Sequence, residues 1–332
     1  NDLFLLKAEG YTTASACDNT YDFTDTEESY QEIDYSDLDQ GIVASVDMNE
    51  GTSSSVSKGT LGTDTLIDVD VPRDEGFGIV TTAQDDTINV VQNSGEYSWT
   101  GIYYTGGDDT YNVSVGAGTT RFSFAGAESV NADLEAGTAA VELADGSIGT
   151  VDINITPPSE PAVYQPLELD GSNGDDMLLG SAYDDRFIGR AGNDVIDSSD
   201  GGIGLFDNPY PPLPTDPNPF NDRDSVDGGR GDDIIRTGDD RDTIKGGDGN
   251  DTINAGIDDD SVEGNRGDDT IIGNEGNDTI YGNAGNDVIY GGLDPSFPDS
   301  LNIPDDEGDL VTDNGLDLIY GGAGDDTIYG ED

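Results

Sequence analysis

The sequence predicts an all-β protein whose second half is a solenoid of very short stacked strands. Three observations carry this. Glycine supplies 47 of 332 residues while hydrophobic residues reach only 33%, a nine-residue repeat fills the C-terminal half, and the N-terminal half shows short apolar runs broken by Gly, Asp and Ser with no amphipathic helix. So little apolar mass argues against an ordinary helical or α/β enzyme of this length and for a repeat architecture.

The repeat reads G-G-x-G-x-D-x-U-x, with U aliphatic or aromatic. Thirteen copies begin at Gly171, Gly180, Gly189, Pro219, Gly228, Thr237, Gly246, Ala255, Gly264, Gly273, Gly282, Thr312 and Gly321. The sixth position is always Asp: Asp176, Asp185, Asp194, Asp224, Asp233, Asp242, Asp251, Asp260, Asp269, Asp278, Asp287, Asp317 and Asp326. The eighth is always apolar, from Leu178 and Phe187 to Ile319 and Ile328. Glycines permit left-handed turns and D-x-U-x alternates as a strand does, so each nonapeptide is a turn plus a strand. One inward side chain per strand buries almost nothing alone. Copies must therefore stack, two per coil, with the U side chains as a thin stripe between two sheets.

Stacking places the sixth-position carboxylates in columns along the two turn edges, one above another at roughly 4.8 Å. Bare columns would repel. A hard divalent cation resolves this, because Ca²⁺ takes six to eight oxygens and the turns offer carboxylates beside glycine carbonyls. Several calcium ions are the expected cofactors, and folding and metal binding are expected to be one equilibrium. A halophile's solvated surface is the alternative source of acidity, but it would scatter carboxylates rather than hold them at one phase of a nine-residue period.

Copies such as Gly246-Gly-Asp-Gly-Asn-Asp-Thr-Ile-Asn254 and Gly321-Gly-Ala-Gly-Asp-Asp-Thr-Ile-Tyr329 resemble the RTX family of calcium-binding nonapeptide repeats. The resemblance implies a parallel β-roll, type I secretion, and folding in millimolar external calcium. It also implies that the sixth-position Asp and the carbonyls of positions two and four hold the ion. Carried onto the best copies, it adds Gly229 with Gly231, Gly247 with Gly249, and Gly322 with Gly324 as ligands.

The array departs from its own rule in places. Position four is Asp in Asp222, Asp240 and Asp258, and Tyr in Tyr183; either a tolerant turn has drifted or these aspartates mark a distinct metal site. Two 21-residue insertions, 198–218 and 291–311, interrupt the frame. Eight copies separate them, so both should leave from one edge as a pair of proline-rich loops, acting as a contact surface or folding back over the core. Tyr281, Tyr290, Tyr320 and Tyr329 hold the ninth position of the last four copies, for cross-strand packing or for sugars.

A stiff linker at Thr156-Pro-Pro-Ser-Glu-Pro161, running on to Pro166, divides an all-β domain over 1–165 from the roll over 166–332. In the first domain Gly62-Thr-Asp-Thr-Leu66, Gln84-Asp-Asp-Thr-Ile88 and Gly107-Asp-Asp-Thr-Tyr111 echo the repeat, and Asp64, Asp86 and Asp109 become further candidate calcium ligands. Their spacings of 22 and 23 residues suit an irregular β-solenoid with longer coils; a β-sandwich is the alternative. The stretch Glu96 to Tyr104, with the single Trp99, reads as core or cap filling, or as a carbohydrate platform.

Charge and residue types bound the function. With 72 acidic against 12 basic side chains, a net of -60, unassisted binding to nucleic acid or anionic lipid is excluded. Histidine is absent, which removes zinc-protease helices, Ser-His-Asp triads and Cys-His pairs from this chain's own repertoire. The lone Cys17 cannot form an internal disulfide and is expected as a buried or half-buried thiol. Apolar runs such as Leu3 to Leu6 fall far short of the ~20 residues of a membrane span. The start at Asn1, with no Met or basic leader, reads as processed, trimmed or part of a longer product.

The reading that results is a secreted, extracellular or cell-surface calcium-binding protein of structural or adhesive role, a component of a surface layer, filament or adhesin, and not an enzyme. Its partners are calcium, further copies of itself, or cell-surface polysaccharide. The alternatives are a calcium-stabilised non-catalytic part of a secreted enzyme and a polysaccharide-binding module.

Overall fold

The computed structural model describes residues 2–5, 10–14, 17–22, 31–47, 53–67, 76–92, 99–116, 118–156, 167–181, 184–198, 223–238, 240–292 and 316–330. The linker after Thr156, Tyr183, Asp222, and both insertions apart from Ser198, Gly291 and Gly292 lie outside the described residues. The chain falls into two compact units, residues 1–130 with 136–170, and residues 131–135 with 171–332. Apart from one short 3₁₀ turn at Gly59–Leu61, every described element is a β-strand.

In the second unit successive nonapeptides alternate between two parallel sheets. One sheet runs from residues 131–133 through Met177–Leu179, Val195–Asp197, Ile234–Arg236, Thr252–Ile257, Thr270–Glu275 and Val288–Tyr290 to Thr327–Tyr329. The other runs from Asp185–Ile188 through Ser225–Arg230, Thr243–Asp248, Ser261–Arg266 and Thr279–Ala284 to Leu318–Ala323. Pairing is in register by repeat position, Ile235 opposite Ile253 and Ile244 opposite Val262. This is the β-roll expected of the repeat.

The eighth-position side chains form the core. From Leu178 to Ile289 none is more than 2% exposed, whereas Ile328 in the last described coil is 45% exposed. Several strands run to six residues, because the first positions of the next nonapeptide continue the ladder, Gly229 pairing with Gly247 and Gly247 with Asn265. The ninth-position tyrosines stack across strands, Tyr281 on Tyr320 at 5.0 Å and Tyr290 on Tyr329 at 4.8 Å between ring centroids. Such pairing of flat rings is the packing role expected of them.

The first unit is the irregular solenoid rather than the sandwich. One sheet is parallel throughout, through Gly10–Thr13, Gln31–Asp34, Gly76–Val80, Trp99–Tyr103, Thr119–Ser123 and Leu167–Asp170. The other is parallel at Val43–Asp47 with Thr87–Val91 and at Asp109–Ser114 with its two neighbours. Antiparallel excursions interrupt it at Val43–Asp47 with Ser53–Ser57 and Thr63–Ile67, and at Thr138–Glu142 with Ile148–Thr156. Wider coils need larger fillers, and the buried Tyr21, Tyr35, Phe77, Tyr111, Phe122 and Phe124 supply them. Tyr111 lies parallel to Phe122 across the interior, 6.0 Å between ring centroids.

Two expectations about single residues resolve here. Trp99 is half-buried, packs on the bare Cα of Gly76 and carries the Arg121 guanidinium over its ring at 5.3 Å, so it fills structure. Cys17 is exposed, not buried: it sits in the bend before Asn19–Asp22, outside the alternating inward positions of a strand.

Candidate metal centre

The turn that precedes each strand builds the site. In the glycine-led turns the carboxylate of position six folds back against position one, so that a Cβ on Gly228 would lie 2.6 Å from Oδ2 of Asp233; Thr237 and Ala255 take this position in the turns of Asp242 and Asp260. Position two is left-handed at Gly229, Gly247 and Gly322 but also at Asn265 and Asn283, with φ of 76° and 72°. Asn is the non-glycine residue that tolerates this region best. The carbonyl of Gly229 faces position two of the next coil at Gly247, and those of Gly231 and Gly285 face position four at Gly249 and Gly324. The six glycines expected as carbonyl donors thus sit in axial files.

All thirteen repeat aspartates fall into two columns. The main-chain N–H of each donates to Oδ1 of the aspartate one coil on, from Asp176 through Asp194, Asp233, Asp251, Asp269 and Asp287 to Asp326, at 2.8–3.1 Å. The second column runs from Asp185 through Asp224, Asp242, Asp260 and Asp278 to Asp317, at 2.8–3.0 Å. From the second aspartate of each column on, one carboxylate oxygen is thus committed to the fold. The other is the telling one: Oδ2 of Asp194, Asp233, Asp251, Asp260, Asp269, Asp278 and Asp287 is buried and has no hydrogen-bond partner among the described residues.

A buried carboxylate oxygen without a donor is costly. Burial first, then neighbouring carboxylates, pushes Asp194 and Asp278 up to about 8, Asp269 to about 7 and Asp251 to about 6. Asp242 and Asp260 are raised well above the ordinary carboxylate range for the same leading reason. No group of three acidic or sulfur side chains converges as a metal cluster among the described residues. A hard cation here would draw on one carboxylate oxygen per turn plus main-chain carbonyls, the donor set that Ca²⁺ accepts. The residues present fit it.

Turns at the start of the array and in the first unit are wired differently. The Ser172 N–H donates to Oδ2 of Asp176 at 2.6 Å and its hydroxyl to Oδ1 at 2.7 Å. The Ser181 N–H and hydroxyl both donate to Oδ2 of Asp185, at 2.6 and 3.0 Å. Thr82 does the same for Asp86, its N–H reaching Oδ2 at 2.6 Å and its hydroxyl Oδ1 at 3.0 Å. The Tyr111 hydroxyl donates to Oδ2 of Asp109 at 2.9 Å. Asp64 receives the Lys58 ammonium on Oδ1 at 2.5 Å, with both side chains wholly buried, and the Tyr35 hydroxyl on Oδ2 at 3.2 Å.

Of the three first-unit aspartates, the structure brings two together: the Asp86 N–H donates to Oδ1 of Asp109 at 2.9 Å, the link that joins neighbours in the roll. Asp64 lies elsewhere in the stack, receiving the Asn19 N–H at 3.0 Å. On the roll, the position-four aspartates Asp240 and Asp258 are buried and left-handed. A shallow groove of about 620 Å³ runs along positions two and three of alternate copies, lined by Arg190, Arg230, Asp248 and Arg266; Arg266 pairs with Asp248 at 3.1 Å.

The family model of the RTX calcium-binding nonapeptide repeat matches residues 170–202, 227–262, 263–295 and 308–332. The second half is an array of RTX repeats. RTX repeats bind several calcium ions and mark a secreted, extracellular protein, and as a module they bind and shape rather than catalyse. No curated protein matches the chain in sequence. Among solved structures, the extracellular lipase LipA from Serratia marcescens aligns over 64% of this chain and 37% of its own length, at 17% identity and a TM-score of 0.17. That likeness is too loose to bear on fold or activity. Among the described residues no helix is long and apolar enough to cross a membrane.

Proposed function

We propose that this is a secreted structural or adhesive protein, a part of a surface layer, filament or adhesin, whose RTX half folds when it meets calcium outside the cell. The observation that carries this reading is the set of buried Oδ2 atoms from Asp194 to Asp287 with no donor among the described residues. Calcium would be held by these carboxylates with Asp224, Asp242, Asp317 and Asp326 in the same columns, and by carbonyls such as those of Gly229, Gly231, Gly247, Gly249, Gly322 and Gly324. When bound, the ion supplies the positive charge and the coil-to-coil cohesion that a one-residue-wide core lacks. In this reading residues 1–165 act as a domain of their own and residues 166–332 as the calcium-dependent roll.

Calcium titration of the full chain followed by far-UV circular dichroism tests the fold: a cooperative gain of β signal near 10⁻⁴ to 10⁻³ M is expected, the range of extracellular modules. Light scattering in the same titration tests assembly. A spectrum indifferent to calcium and chelator defeats the reading.

A further inference from the structure

Two kinds of turn share one aspartate. Where position two is left-handed, as at Gly247 and Asn265, Oδ2 of the turn's aspartate stays without a partner at Asp251 and Asp269. Where position two is Ser or Thr, the backbone is not left-handed, and residue two turns its own N–H and hydroxyl onto the carboxylate. The wiring repeats in detail between the units. The hydroxyl of Ser172 accepts the Gly174 N–H at 3.1 Å while donating to Asp176, and the hydroxyl of Thr82 accepts the Gln84 N–H at 3.1 Å while donating to Asp86. Threonine is β-branched and resists the left-handed region, so this conformation follows from the residue.

Lys58 achieves the same end by charge. It stands just ahead of the frame Gly59-Thr-Leu-Gly-Thr-Asp64, and its ammonium donates to Oδ1 of Asp64 at 2.5 Å and to the Cys17 carbonyl at 2.6 Å. A carboxylate oxygen and a main-chain carbonyl are the two donor types that the roll's turns offer a metal. Here a tethered cation with no exposed surface takes both. An ammonium so placed would repel a second cation, and a paired buried carboxylate has no need of one.

We propose that position two selects which turns take calcium: a left-handed residue there, Gly, Asn or in one copy Arg190, leaves an oxygen for the ion, Ser or Thr closes the turn with the protein's own donors, and Lys58 serves as a built-in cation in place of the metal. The calcium sites of the roll then begin at Asp194. Asp176, Asp86 and Asp64 belong to turns that form without metal, so the first turn of the roll, at Asp176, is ordered and calcium-independent, and the calcium-dependent coils of the roll follow it. This deepens the calcium reading and rests on it.

Calcium bound per full-length chain, measured by equilibrium dialysis in saturating calcium with emission spectrometry, separates the two claims. Asp251→Asn should lower the count and Asp176→Asn should not. If Asp251→Asn leaves it unchanged, the calcium reading itself fails. If Asp176→Asn lowers it as Asp251→Asn does, calcium binding stands and the selection rule is overturned. Because Asp176→Asn can loosen its turn, Ser172→Gly is measured beside it: one more ion at an unchanged β spectrum is expected, and no gain overturns the rule. Lys58→Ala should make thermal melting followed by Trp99 fluorescence respond to calcium, where the parent does not. Indifference of that variant overturns the lysine's assignment.

Discussion

The main-chain N–H of Asp233 donates to Oδ1 of Asp251 one coil on, at 2.9 Å, while Oδ2 of the same Asp251 has no partner among the described residues. Each repeat aspartate thus does two separable things. Asp251→Asn keeps an oxygen for the Asp233 N–H and removes the charge a metal needs; Asp251→Ala removes both. The Asn variant should shift the calcium midpoint upward while its metal-free form at pH 5 is no less stable than the parent. The Ala variant should lose about 1–3 kcal/mol even there, from an unsatisfied buried donor. Urea melts at pH 5 in chelator and calcium titrations at pH 8 read the two effects apart.

Protons should substitute in part for calcium. In the metal-free fold Asp194 titrates near 8, Asp269 near 7, and Asp233 and Asp251 near 6, each from an ordinary value of 3.8. Between the ordinary value and these raised ones folding takes up protons, so metal-free stability is fullest at low pH and is lost as pH rises through about 6 to 8. Calcium must displace those protons, so its affinity should rise over the same window. In chelator, β signal should be greater at pH 5 than at pH 8, and at fixed subsaturating calcium the order should reverse. A metal-free form equally folded at both pH values would contradict this.

How legible this molecule was depended on whether its coils repeat. In the roll every coil has one length apart from those that carry the two insertions, so phase in sequence became position in space: thirteen aspartates in two files, and eighth-position side chains from Leu178 to Ile289 in the core. In the first unit coil length varies. Asp64 to Asp86 and Asp86 to Asp109 are nearly equal intervals, yet only the second pair are neighbours. The antiparallel strands Ser53–Ser57 and Val43–Asp47 lie between the strands that follow Asp64 and Asp86. Nothing in the spacing marks a hairpin. The closing groups were in plain view, since Lys58 is one of 12 cations and stands before a repeat-like frame, and Ser172 and Ser181 replace the second glycine. Composition weighed as charge balance hid them, because their effect comes from burial at one carboxylate.

The second position should discriminate among small residues. A Cβ on Gly247 would collide with the Gly229 carbonyl at a φ of 125°, yet Asn265 and Asn283 occupy the same file at φ near 75°. Gly247→Asn should therefore be tolerated better than Gly247→Ala. The Ala variant pays the left-handed cost of roughly 1–2 kcal/mol per residue as well as the collision. Calcium-loaded thermal melts of the two variants, with Asn melting above Ala, would bear this out.

Ile253 and Arg266 set the two ends of the scale for side-chain loss in the calcium-loaded roll. Ile253 is fully buried, with Ile235 and Ile271 as its neighbours along the file, and each coil offers one such residue per sheet. Ile253→Ala should cost about 2–5 kcal/mol, because rigid coils on either side cannot close the gap. Arg266 pairs with Asp248 at 3.1 Å, but the two side chains are 76% and 49% exposed, so solvent screens the pair and Arg266→Ala should change stability by no more than about 0.5 kcal/mol. Denaturant melts in saturating calcium compare the variants directly. A small loss at Ile253 would mean that the metal, not the apolar file, carries the cohesion between coils.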